Sequence, residues 1–191
     1  LRSYYRRWYR PDLQGLVIVG DFDVDQMEQK IKTLFADVKP AAADASVREY
    51  FPVADNKAPL IAIEKDKEQS AAVAMMFFKL PAVPNEQKNQ QMYLVQRYLQ
   101  TAFGEMLNAR LQEIAQKPDA PFSMTAVDIG DYLVSKTCDA LDGIVVMKEG
   151  RYLDAVSALY RELLRAKRGG FTVSEYERFK QEYLSRVDAQ Y

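Results

Sequence analysis

Apolar residues fall along this chain in two alternating patterns, short solid runs and stripes at helical spacing, and the changes between them divide it. Residues 3–10 read as the end of a helix in which Tyr4, Tyr5, Trp8 and Tyr9 alternate with arginines. Pro11 closes it, because proline disfavours helical geometry in the residue before it. Leu13 to Gly20 is a short apolar run, rich in β-branched residues and bounded by turn formers, which predicts a buried strand. Asp23 then offers an N-cap, with Gln26 three residues on to complete a capping box. Val24, Met27, Ile31, Leu34 and Phe35 recur on one helical face. One strand and two helices cannot bury both faces of a sheet, so the strand at 14–20 must find a partner. It would pair with strands at 60–80 or with a second copy of the chain.

Residues 39–58 change character. Pro40, Ala41 to Ala43, Pro52 and the following Pro59 suit a surface linker between domains. Beyond it, Leu60 to Lys65 and Ala71 to Leu80 read as two strands joined by a charged loop, and Pro81 and Pro84 end the second. Asn85 would cap a long helix carrying Met92, Val95, Leu99, Phe103, Leu107 and Leu111 on its apolar side, which stops at Lys117-Pro118. Phe122 to Tyr132 and Ser135 to Lys148 predict two more strands about a turn near Leu133. Asp139 and Asp142 interrupt the second and suggest a bulge there. A helix with Tyr152, Val156, Leu159, Leu163 and Leu164 on one face runs to Gly169-Gly170, suited to a left-handed cap. Thr172 and Glu175 form a capping box for the last helix, which presents Tyr176, Phe179, Tyr183 and Val187.

The order from residue 59 is β-β-α-β-β-α-α. It predicts an α+β fold, a mostly antiparallel sheet with helices packed on one side, preceded by a helix-strand-helix remnant of a similar domain. The divisions are residues 1–38, a linker at 39–58, and a second domain at 59–191.

Composition narrows the chemistry. Lys+Arg 26 against Asp+Glu 27 leaves a net charge of −1, which gives no broad attraction to nucleic acid. The aromatic and basic residues 2–10 are expected to pack under a sheet, not to stack on bases. No apolar run is long enough for a membrane span. The chain begins at Leu1, with no signal peptide, as expected of a piece starting inside a longer protein. Cys138, the single cysteine, can form no internal disulfide and sits in a strand pattern as a packed side chain.

Among 191 residues there is no histidine, which removes Ser-His catalysis and imidazole-ligated zinc alike. Glu64, Asp66 and Glu68 make an oxygen-only group that reads as a charged, solvated loop. No phosphate-binding glycine loop is present.

Three stretches carry a resemblance. Tyr9-Arg10-Pro11, Val17 to Val19 and Gly20-Asp21-Phe22, followed by the capped helix, resemble the segment that closes the first domain of pitrilysin/insulinase zinc metallopeptidases. Leu107-Asn108-Ala109-Arg110-Leu111 is similar to a run in the long helix of that family's next domain, and Phe171 to Lys180 to the start of its last helix. Order and spacing match across nearly the whole chain. The resemblance implies a parent protein that hydrolyses peptides at zinc held by His-x-x-Glu-His, all of it upstream of residue 1. Residues 1–38 would then be the tail of the catalytic-type domain.

For the fragment itself the resemblance implies no catalytic, cofactor-binding or metal-ligating residue. The implied partners are the missing catalytic domain, the second half of the enzyme, and a peptide or protein substrate met through the parent. Gln116 and Phe122 stand roughly where the family's substrate-clamping domain has an Arg and a Tyr, and phenylalanine lacks the hydroxyl to donate to a carbonyl. The expected role is therefore a wall of the peptidase chamber. The alternative is an assembly subunit of the same ancestry without peptidase activity.

Overall fold

A computed structural model of the chain describes residues 1–39, 45, 47 and 49–190. It divides into two compact units, Leu1–Glu49 and Tyr50–Tyr191. The division falls inside the proline- and alanine-rich stretch. Pro40 to Asp44, Ser46 and Arg48, on which much of the linker expectation rests, lie outside the described residues.

The first unit holds helix α1 (Arg2–Trp8), a 3-10 turn at Pro11–Leu13 and helix α2 (Val24–Leu34). The Asp23 carboxylate accepts the Gln26 N–H at 2.8 Å, satisfying one of the free donors at the start of α2. Two expectations fail here. Leu13 to Gly20 forms no strand; it is exposed, Val17 at 85% and Val19 at 92%. Nor, among its described residues, does the first unit hold a sheet for the aromatic rings of residues 2–10 to pack under. Tyr4, Tyr5 and Tyr9 are exposed, Tyr5 stacks on Tyr9 at 4.7 Å, and the Arg7 guanidinium lies 5.0 Å from the Trp8 ring centre. The reason is common to both: among its described residues the unit contains no second strand, so an apolar run has nothing to pair with and the rings have no sheet to cover.

The second unit is built on a three-stranded antiparallel sheet, β1 (Ala72–Pro81), β2 (Phe122–Asp131) and β3 (Cys138–Met147), in the order β1-β3-β2. Helix α3 (Gln91–Ala115) links β1 to β2, and helices α4 (Tyr152–Gly169) and α5 (Val173–Asp188) follow β3. Leu60 to Lys65 is not a strand but exposed chain, because β1 takes β3 as its partner and no other strand lies beside it among the described residues. Asn85 starts a 3-10 turn, closed by the Lys88 N–H on the Asn85 carbonyl, so α3 begins at Gln91 and not at Asn85.

The expected bulge near Asp139 and Asp142 is absent; the register shifts instead between Phe122 and Met124. Residues two apart on a regular strand share a face. The extra residue at Ser123 lets Phe122 enter the core while Met124 points to the opposite side.

Helices α3 and α4 cover one face of the sheet, and α5 packs on α3. Leu107 and Leu111 of α3, Phe122, Val127 and Val145 of the sheet, and Leu159 and Leu163 of α4 form a continuous apolar core. Burial of each such side chain contributes about 1.5–3 kcal/mol. Gly143 at the centre of β3 lets Leu159 of α4 pack closely on the strand: a methyl there would meet Leu159 Cδ2 at 3.1 Å. Gly170 caps α4 at φ +64°, and Thr172 with Glu175 forms the expected reciprocal box at the start of α5. The result is the expected α+β architecture, a sheet with its helices on one side.

Candidate functional site

The two stretches that carried the later resemblances meet in space. Arg110 of α3 is buried and forks onto the carboxylate at the head of α5, Nε to Glu175 Oε1 at 2.5 Å and Nη2 to Glu175 Oε2 at 2.9 Å. Arg110 Nη2 also donates to the Gly170 carbonyl at 2.9 Å, and its guanidinium lies 4.5 Å from the centre of the Phe171 ring. Glu175 at the same time accepts the Thr172 N–H at 2.7 Å. This one carboxylate therefore caps α5 and fixes it to α3. The bond from Arg110 holds Glu175 down to about 2, with a smaller lowering from the Thr172 bonds working against burial. The same bond raises Arg110.

A second link seals the sheet. Asn108, also on α3, accepts the Val127 N–H at 2.8 Å and donates to the Val127 carbonyl at 2.9 Å. Its amide takes the place of a neighbouring strand along the outer edge of β2, where unpaired backbone groups would otherwise face the helix.

The acidic residues near the start of the second unit come together only locally. Asp66 accepts the Glu68 N–H at 2.7 Å in an exposed turn. Among the described residues no group of three or more His, Cys, Asp or Glu side chains is arranged to hold a metal. Cys138 is buried, its Sγ 3.2 Å from the Asp139 carbonyl. With no imidazole and one buried thiol, the donor set does not fit zinc. Gln116 caps the end of α3 on the surface, whereas Phe122 is 0% exposed and faces the core, so the two do not form a clamp.

What sequence reasoning missed is the other face of the sheet. Directly opposed residues share a face, and the register sets three rows there: Val73–Val146–Met124, Met75–Ile144–Ala126, and Phe77–Asp142–Asp128. Met75 is 53% and Met124 55% exposed, so the described helices leave this face open. Burial and the facing Asp128 both raise Asp142. The signal was present in β1, whose Ala72 to Phe78 is an unbroken apolar run, the mark of a strand meant to be covered on both faces.

The second unit is an α+β domain whose helices are tied to one another and to the sheet, with one face of the sheet left open by the described helices. Residues 1–183 match the family model of the peptidase M16 inactive domain, and the chain belongs to that family. The "Probable zinc protease PqqL" of Escherichia coli (strain K12) is 25% identical over 185 residues, 97% of this chain but 19% of that protein. The crystal structure of the periplasmic protease PqqL from Escherichia coli superposes with a TM-score of 0.75 at 23% identity, covering 98% of this chain and 20% of PqqL. The first half of PqqL, solved separately, also contains the matching region, with a TM-score of 0.68 at 22% identity over 98% of this chain and 39% of that half. The "Predicted insulinase family protease" of Yersinia pestis gives 0.68 at 18% identity, over 100% of this chain and 40% of its own. The chain thus spans about a fifth of the curated relative's length.

Proposed function

We propose that the chain is the non-catalytic part of a zinc-dependent endopeptidase of the pitrilysin/insulinase type. It forms one wall of the peptidase chamber and supports the binding of a peptide substrate cleaved elsewhere in the same protein. Residues 1–38 are the tail of the catalytic-type domain, 39–58 the linker, and 59–191 the supporting domain. The observation that carries this reading is the family match across residues 1–183 in a chain without a single imidazole. The presence of the matching region in the first half of PqqL supports a position beside the catalytic domain.

The test is made in the full-length protein. Arg110→Ala should loosen α5 from α3 and reduce cleavage of a quenched fluorescent peptide at physiological temperature, while bound zinc stays at its original stoichiometry. Loss of zinc with that substitution would place the metal support here and overturn the reading. A full-length protein that binds no zinc and cleaves no peptide would instead identify an assembly subunit.

A further inference from the structure

Helix α4 carries a line of arginines that neither the core nor the proposed function uses. Leu159, Leu163 and Ala166 are buried, and Arg161, Arg165 and Arg168 each follow one of them by two residues. Two residues turn an α-helix by about 200°, so the arginines form a stripe on the side away from the core. All three are exposed, the Arg165 side chain at 68%. They stand at i, i+4 and i+7, so two pairs of like-charged neighbours repel along the helix, at about 0.2–0.5 kcal/mol each. Among the described residues no carboxylate pairs with Arg161 or Arg168, and Arg165 has only Glu162, at 3.5 Å. Arg161 Nε donates to the Ser157 carbonyl at 3.3 Å, which holds the side chain but neutralises no charge. The negative end of the helix dipole favours a cation in the last turn, which accounts for Arg168 but not for Arg161 and Arg165 before it.

We infer that this stripe is a binding surface for an acidic polypeptide segment in extended form, with Asp or Glu at alternate positions. Along the helix axis Arg161 and Arg165 lie about 6 Å apart, and the stripe from Arg161 to Arg168 spans about 10.5 Å. Side chains on one face of an extended chain repeat at about 6.6 Å, so successive acidic positions fall opposite successive arginines. The length of the arginine side chains absorbs the small mismatch. Each guanidinium can take a carboxylate through two parallel hydrogen bonds, and the bound charge removes the repulsion along the helix. A bilayer fits less well, because the stripe continues back to the exposed Ser157 and offers no apolar side chain to insert. Nucleic acid fits less well, because 26 basic side chains are offset by 27 acidic ones and no broad positive field surrounds the stripe. The inference stands apart from the peptidase reading, since direct binding measures it without zinc or cleavage.

Fluorescence anisotropy of a fluorescein-labelled peptide of four Glu-Ser repeats, titrated with the full-length protein, tests it. Saturable binding that weakens with added salt is expected, and a peptide of four Gln-Ser repeats should not bind. Arg161→Gln, Arg165→Gln and Arg168→Gln together should weaken binding about fivefold or more. Far-ultraviolet circular dichroism should stay unchanged, because glutamine is a good helix former at exposed positions. Lysine at the same three positions keeps the charge and loses the fork, and should retain part of the affinity. Lys65→Gln with Lys67→Gln, two exposed cations away from the stripe, should leave binding as it was. No saturable binding, equal affinity in the glutamine variant, or an equal loss in the Lys65 and Lys67 variant would overturn the inference. So would phosphatidylserine vesicles or a single-stranded oligonucleotide of equal charge binding the same arginines more tightly than the peptide, which would assign the stripe to lipid or nucleic acid.

Discussion

Arg110 and Glu175, 65 positions apart, form a two-point ion pair that ties the C-terminal part of the long helix to the first turn of the last one. Glu175 belongs to a local capping box and Arg110 to a distant apolar stripe. One carboxylate therefore serves both the start of α5 and its docking on α3. Two further contacts extend the seam: Tyr98 Oη lies 3.1 Å from Tyr176 Oη, and Arg186 Nη2 donates to Glu105 at 2.7 Å.

Removing one member of this pair should cost more than losing an ordinary surface bridge. Arg110→Ala leaves Glu175 charged, mostly buried and tied only to its own cap, and is expected to destabilise the chain by about 3–5 kcal/mol. Arg110→Lys keeps the charge but not the fork and should fall between that and wild type. Urea denaturation followed by circular dichroism measures both. Equal stability of all three proteins would contradict the assigned role.

The same pair predicts an acid limb. Glu175 is lowered from its ordinary value of 4.5 to about 2, so its contribution is fully present above 4.5. It is lost as the pH falls toward about 2, where the folded protein also takes up the proton. Glu175→Gln should lower stability at neutral pH and flatten this part of the profile. Thermal midpoints at closely spaced pH values across that window would show it.

Asn108 offers a cleaner test of edge protection. Asn108→Ala leaves the Val127 N–H and carbonyl without their partner and is expected to cost about 1–3 kcal/mol. Asn108→Asp keeps the acceptor and loses the donor. Amide hydrogen exchange should accelerate at Val127 in the alanine variant far more than in the aspartate variant, while β3 amides remain protected.

Much of this fold is legible in the sequence, and the failures share a cause. The N-cap at Asp23, the capping box at Thr172, the turn at Leu133 and the stop at Gly170 are written in residues within four positions of one another, although the side chain of Gln26 does not complete the box expected with Asp23. Local chemistry of that kind reads directly from sequence. Leu13 to Gly20 and Leu60 to Lys65 mislead because an apolar run records a need for burial and not the presence of a partner. In this chain both segments stand exposed. Asn108 gives a fainter clue, a polar amide within the apolar stripe of α3, but its partner at Val127 lies 19 residues away and no spacing rule names it. The open face is hidden for a related reason. Asp128 and Asp142 become neighbours only once the register of β2 on β3 is set, from Met124 opposite Val146 to Asp131 opposite Asp139.

In the proposed function this chain supports a metal-dependent reaction without holding the metal. Elemental analysis of the purified 191-residue chain, after equilibration with zinc and removal of the free ion, tests it most directly. Far less than one equivalent should remain, and the stability toward urea should not change with added zinc. One tightly held equivalent, with a matching gain in stability, would contradict the account.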